Sequence, residues 1–307
     1  MKKTTIVSLA ITILALSSLA CSAAGWAVVR GSGNVEEKAY DVSGFDGVAL
    51  ATIGTVYVEI GEEEGLRVEA EDNLIEHFRI EVRGDTLNIE TNELVSLLPT
   101  KPVKFYLTAK ALNAITVSGS GDVEAPALEA DSFSIEVSGS GDIWIDDLAA
   151  EGLDANITGS GDVTITDGEI GDQYINVSGS GSYRAGDVEA LEALKVSVKV
   201  TGSGKAELGQ LEAVDLDVDI SGAGKVSVAG GTVGSQTVDI GGSGAYRAAD
   251  LESAQADLRI SGSGSARVWA SEYLDAKITG SGDVYYKGDP TVKESITGSG
   301  DIRPIEG

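Results

Sequence analysis

The sequence predicts an all-β protein: a parallel β-helix, or solenoid, of about twenty residues per rung, with a less regular N-terminal portion. Three observations predict it. A turn reading Ser/Thr-Gly-Ser-Gly in most copies places its first Gly at 119, 139, 159, 179, 202, 222, 242, 262, 280 and 298, and internal repetition at a nearly fixed period marks stacked repeat architectures. Each turn is flanked by alternating residues: Phe133, Ile135 and Val137 are split by Ser134 and Glu136, and Ile143 and Ile145 by Trp144. Period-two alternation with β-branched residues on one face marks half-buried strands. Finally, Gly is 40 of 307 residues against only 5 Pro, well above its usual share of ~7%, which suits tight turns between ordered segments. Such short strands cannot bury an apolar face alone, but stacked rungs ~4.8 Å apart can, and about ten to thirteen of them would make a rod roughly 50–60 Å long. Barrels and sandwiches need hairpins of variable spacing; one recurring turn per rung favours a parallel coil.

In chain order, residues 1–20 read as a signal peptide. Lys2 and Lys3 precede an apolar run from Ile6 to Ala20 that is too short and weakly flanked for a membrane span. Cys21 is the only cysteine, so no internal disulfide is possible. Its place after the apolar run resembles the lipid-modified cysteine of bacterial lipoproteins, with Ser18 where Leu is expected; cleavage after Ala23 or Ala24 is the alternative. Residues 21–40 read as a tether. Residues 41–115 form less regular opening rungs, with a short helix expected over 73–78. Leu94-Val-Ser-Leu-Leu98 reads as a loop or cap over an end or side of the solenoid, or else as an exposed partner-binding patch. From 116 to 303 the repeat runs without a linker, so 41–303 is one continuous domain.

The formal charge is −27. Without residues 1–20, 49 acidic residues face 20 basic ones, or −29. That surface repels nucleic acid and anionic lipid, so nucleic acid is not an expected partner and the membrane is met only through an N-terminal anchor.

Little in the sequence supports catalysis. With His77 and Cys21 the only residues of their kinds, hydrolase triads and thiolate or imidazole metal sites lack material. Gly204-Lys205 and Gly224-Lys225 fall short of a phosphate-binding loop, since Lys199 and Asp219 stand where its first Gly is needed. Asp122, Asp142 and Asp162 follow the turn on consecutive rungs. They read first as solvated turn residues, then as weak divalent-cation candidates, and last as a carbohydrate-cleaving pair, because any Asp ladder in a solenoid meets the ~5–5.5 Å spacing of retaining glycosidases. Tyr183, Tyr246, Trp144 and Trp269 are conceivable sugar-stacking platforms or packing residues. No cofactor is expected.

The segment Glu272-Tyr-Leu-Asp-Ala-Lys-Ile-Thr-Gly-Ser-Gly-Asp-Val-Tyr-Tyr-Lys-Gly-Asp-Pro290, the opening Val42-Ser-Gly-Phe-Asp46 and the turn ladder between them resemble the putative auto-transporter adhesin, head GIN domain family over residues 41–303. The resemblance implies a right-handed parallel β-helix in exported bacterial proteins, often lipoproteins, and supplies no catalytic residues. The chain has more rungs than one such domain leads us to expect. Tyr183-Arg-Ala-Gly-Asp187 recurs as Tyr246-Arg-Ala-Ala-Asp250, which points to duplication of a three-rung block. The expectation is a non-catalytic envelope solenoid that presents a surface to an unknown glycan or protein ligand. The alternatives are a polysaccharide-active β-helix enzyme and a purely structural spacer.

Overall fold

A computed structural model describes residues 27–92 and 95–305. The signal peptide of 1–20, the lipidation candidate Cys21 and Leu94 lie outside the described residues. About three-quarters of the protein is β, wound into a solenoid of about nine turns with about 20 residues per rung. The turns are fewer than the ten to thirteen expected because part of 41–115 forms a cap.

The regular rungs stack in parallel register. Val117 pairs with Val137, then Ile157, Val177, Val200, Ile220, Ile240, Ile260 and Ile278 follow in one column. Every member is buried, each worth ~1.5–3 kcal/mol relative to exposure. A second column, two residues past each turn, runs Val123, Ile143, Val163, Tyr183, Ala206, Val226, Tyr246 and Ala266. Each tyrosine there is followed on the next rung by an alanine, so large and small side chains share the space between layers.

Spacing changes are absorbed locally. Between Glu169 and Gln173, within one rung, the register slips from twenty residues to 23, as Glu169 pairs with Glu189 and Gln173 with Val196. The bulge is tied down by Asp172 Oδ1, which accepts the N–H groups of Leu194 and Lys195 at 2.8 and 2.9 Å. After Ala248 the repeat shortens, through an offset of 17 at Glu252 and Ser253, to the 18-residue step that runs from Gln255 to the last rung.

The N-terminal end is built differently. Strands Gly47–Ala51 and Thr55–Ile60 lie between Ala114–Val117 and Asp122–Val137 on one side and Thr86–Thr91 and Lys104–Ala109 on the other, all in parallel. The chain therefore lays down an inner rung, leaves to build the outermost one, and returns to continue the coil. Antiparallel strands Gly65–Glu71 and Phe78–Arg83 cover that outermost rung, and Val35–Tyr40, within the stretch read as a tether, pairs antiparallel with Gly65–Glu71. The expected helix is a single turn, Asp72–Ile75. Val95–Leu98 pairs in parallel with Ala27–Arg30 as a separate two-stranded sheet, with Leu97 packed against the core and Leu98 exposed. A covered end protects strand edges from pairing with other chains.

Buried Glu71 fastens this cap. Its carboxylate accepts the Thr100 hydroxyl at 2.5 Å and N–H at 2.8 Å, the Gly33 N–H at 2.6 Å and the Lys101 N–H at 3.3 Å. Burial opposes its charge, but these hydrogen bonds outweigh it and lower its pKa to about 2. Gly31 is required beside it, since a Cβ there would lie 1.9 Å from Glu71 Oε2.

Candidate functional site

The corners come first, because the repeat concentrates its polar atoms there. Their amides bond mainly to the rung below: Ser140 N–H donates to Gly119 O at 3.0 Å, and Ser160 N–H to Gly139 O at 3.0 Å. A Cβ on Gly141 would sit 1.8 Å from Gly121 O. The motif therefore needs glycine for close approach between backbones.

The same motif takes two conformations. From Gly202 onward its first glycine has positive φ, as at Gly222 (+123°), and the residue after the turn donates to a carbonyl, as Lys225 N–H does to Gly204 O at 3.1 Å, except at the last corner, where Asp301 N–H donates to Asp283 Oδ1 at 3.1 Å. In the earlier corners that duty passes to aspartate. Asp142 N–H donates to Asp122 Oδ1 at 2.9 Å, Asp162 N–H to Asp142 Oδ1 at 2.7 Å, and Ser182 N–H to Asp162 Oδ1 at 2.8 Å. The three aspartates are half-buried and each holds the next rung in place. Among the described residues no group of three or more His, Cys, Asp or Glu side chains is arranged to hold a metal ion.

The other sequence candidates are dispersed. Tyr183 and Tyr246 are fully buried, so neither is a sugar-stacking platform. The signal was present in the sequence, for both occupy the inward position held by Val123, Ile143 and Val163. Burial pushes both phenol pKa values up. Tyr246 donates to Gln236 Oε1 at 3.0 Å, and Gln236 Nε2 donates to Ser253 Oγ at 2.7 Å. Trp144 is 39% exposed in a shallow concavity of about 520 Å³ with Tyr57, Glu124 and Asp146. Trp269 carries the Lys287 ammonium 4.1 Å from its ring centroid. His77 ends the single helical turn, its N–H donating to Leu74 O at 3.0 Å, far in sequence from the Asp ladder.

One concavity is a feature that reasoning from sequence missed. A groove of about 1110 Å³ runs along the corner opposite the start of each rung, floored by Leu128, Ala150, Ile170 and Ala193. It continues past Leu194 into a second hollow of about 580 Å³ that reaches Val214 and Gly234. Leu194 is 69% and Val214 53% exposed. Acidic side chains stand along the rims, Glu129, Asp147, Glu151 and Glu169 among them, and Lys110 is the single basic lining residue among those described. Lys110 itself pairs with Glu64 at 3.6 Å. The available sequence signal was the run of small residues recurring at 125–130 and 149–150.

Among the described residues no helix is long and apolar enough to cross a membrane. Comparison with known proteins then places the fold. A crystal structure of a putative lipid binding protein from Parabacteroides distasonis ATCC 8503 is 25% identical, with 91% of this chain and 100% of that one covered at a TM-score of 0.50. Two putative adhesins share the fold at 22% identity: one from Parabacteroides distasonis ATCC 8503 (91% and 100% covered, TM-score 0.52) and one from Bacteroides fragilis NCTC 9343 (90% and 100%, TM-score 0.51). No curated protein matches this chain. The family described as putative auto-transporter adhesin, head GIN domain matches residues 44–209 and again residues 187–290, so that two overlapping matches span the cap and most of the coil. The turn ladder, the stacked parallel rungs and this double match lead to one conclusion: the chain belongs to the putative auto-transporter adhesin, head GIN domain family.

Proposed function

We propose that this protein is an exported, non-catalytic solenoid of the cell envelope, held by a lipid on Cys21, that presents an extended surface to a glycan or protein ligand. Residues 1–20 direct export, residues 21–40 link the anchor to the domain with their strands Ala27–Arg30 and Val35–Tyr40 paired into its cap, and 41–303 form the adhesin-like domain. The observation that carries the reading is family membership over most of the chain. The dispersal of acidic groups along the coil supports the non-enzyme part, because polysaccharide cleavage needs two opposed carboxyl groups with one desolvated. In this reading Asp122, Asp142 and Asp162 serve as backbone caps and no cofactor is involved. Lipid is the class named for one structural neighbour; in this protein a lipid lying in the corner groove would meet acidic rims that repel anionic headgroups.

The test compares wild type with Cys21→Ala in cells fed a labelled fatty acid, followed by fractionation. The protein is then assayed on glycan arrays and matrix-protein surfaces. Label and envelope retention in wild type alone, with saturable binding to one surface, is the expected result. Equal labelling of the two forms removes the anchor, and release of reducing ends from a polysaccharide overturns the non-enzyme reading.

A further inference from the structure

The corner groove has both a shape and a charge pattern, and together they select an occupant. From Ile60 and Lys110 at one end to Gly234 at the other it crosses six rung-to-rung steps, or about 29 Å at ~4.8 Å per step. An extended chain covers that distance in about nine residues. The floor is apolar, with Leu128 and Ile170 beside the small Ala150 and Ala193, and offers contact to aliphatic groups. The walls carry carboxylates on successive rungs, Glu129 and Glu169 lying in the same column on either side of Ala149. Exposed apolar side chains at Leu194 and Val214 continue the floor in the open, where water contact is unfavourable.

We propose that this groove seats an extended cationic segment of a partner polypeptide, about nine residues long, alternating Lys or Arg with small aliphatic side chains. Basic groups meet the rim carboxylates while the aliphatic ones cover the floor. The strongly negative chain as a whole steers such a segment in. A second copy of this chain is disfavoured by the same charge. The proposal rests on the adhesin-like reading in taking the groove as a ligand-facing surface.

The experiment uses the purified full chain and a labelled nonapeptide alternating Lys and Val, with a Glu/Val nonapeptide and a Lys-only nonapeptide as controls. Anisotropy titration should give saturable binding of the Lys/Val peptide and none of the Glu/Val peptide. The double variant Glu129→Lys/Glu169→Lys should weaken it about tenfold or more, with unchanged circular dichroism. Ala149→Trp, which puts a bulky ring in the groove between Glu129 and Glu169, should weaken it as much; should that variant misfold, the charge pair carries the test. Glu136→Lys/Glu294→Lys, on the strands that lead into the Ser-Gly-Ser-Gly turn and away from the groove, should leave affinity unchanged. Equal weakening by this remote pair, equal affinity for the Lys-only peptide, or no binding by wild type overturns the proposal. The same preparations are assayed on glycan and matrix surfaces: adhesion without peptide binding sinks the groove and spares the adhesin reading, whereas peptide binding without adhesion does the reverse.

Discussion

Tyr183 and Tyr246 sit ten residues after Gln173 and Gln236, and the two pairs are copies of one arrangement. In the second copy the hydrogen bond between phenol and amide is made, and Ser253 extends it to Trp269 O at 2.8 Å. In the first copy Tyr183 OH and Gln173 Oε1 have no hydrogen-bond partner among the described residues, and Ala190 stands where the duplicated blocks align Ser253. A buried acceptor stripped of its donor costs about 1–3 kcal/mol, whereas a hydroxyl with no bond to lose costs little. Tyr246→Phe should therefore lower the urea midpoint measurably, and Tyr183→Phe should leave it unchanged or raise it. Equal losses would show that both hydroxyls are bonded. At this scale the inward columns were readable from alternation, and the same parity selects the packing alternative for the two tyrosines over the platform one. The Asp ladder was readable as a ladder, but its duty was not. An aspartate accepts the next backbone N–H in both kinds of corner, at Asp122 and again at Asp283, and a repeated Ser-Gly-Ser-Gly does not show that contact.

The cap shows what a whole element adds. Residues 27–40, 65–83 and 95–101 are distant in sequence and meet around Glu71, whose four hydrogen-bond donors come from two separate loops. Its folded pKa of about 2 lies below its ordinary 4.5. A depressed carboxylate contributes stability that is fully present above the unfolded value and is lost as pH falls through the folded one. The difference in thermal midpoint between wild type and Glu71→Gln should be constant near neutrality and shrink between pH 4.5 and about 2. A difference that grows on acidification would contradict the assignment. In the sequence this region was legible only as irregular. Its hairpins lack the shared turn, and the return of the chain around an already formed rung leaves no periodic mark. The register slip by Asp172 was visible as the 23-residue step, but the groove it helps shape was not, because the groove arises where small residues of successive rungs stack.

Across the whole molecule, the charge of −27 acts on a rod of parallel rungs. Same-sign repulsion along such a rod opposes the compact state, while its exposed ion pairs, such as Arg184–Glu207 and Lys195–Asp217, are each worth ~1 kcal/mol or less. Repulsion outweighs these pairs, so raising salt from ~0.01 M to ~1 M, which shortens the screening length from ~30 to ~3 Å, should raise the thermal midpoint. A fall would mean that the ion pairs dominate. Because each rung touches mainly its neighbours, loss of one rung is felt locally. Ile296, in the last rung, holds the position of the fully buried Ile278, yet it is 41% exposed, with no further described rung over it.

The amino-acid sequence alone determined the rung: its length, its inward columns and its glycine corners follow from a local period, since neighbours one turn apart repeat the same residues. Tertiary structure decided the cap, the two corner conformations, the aspartate caps and the acidic groove. Each depends on which atoms of separate rungs come within a few ångströms, and that distance is set by the stacking of the coil.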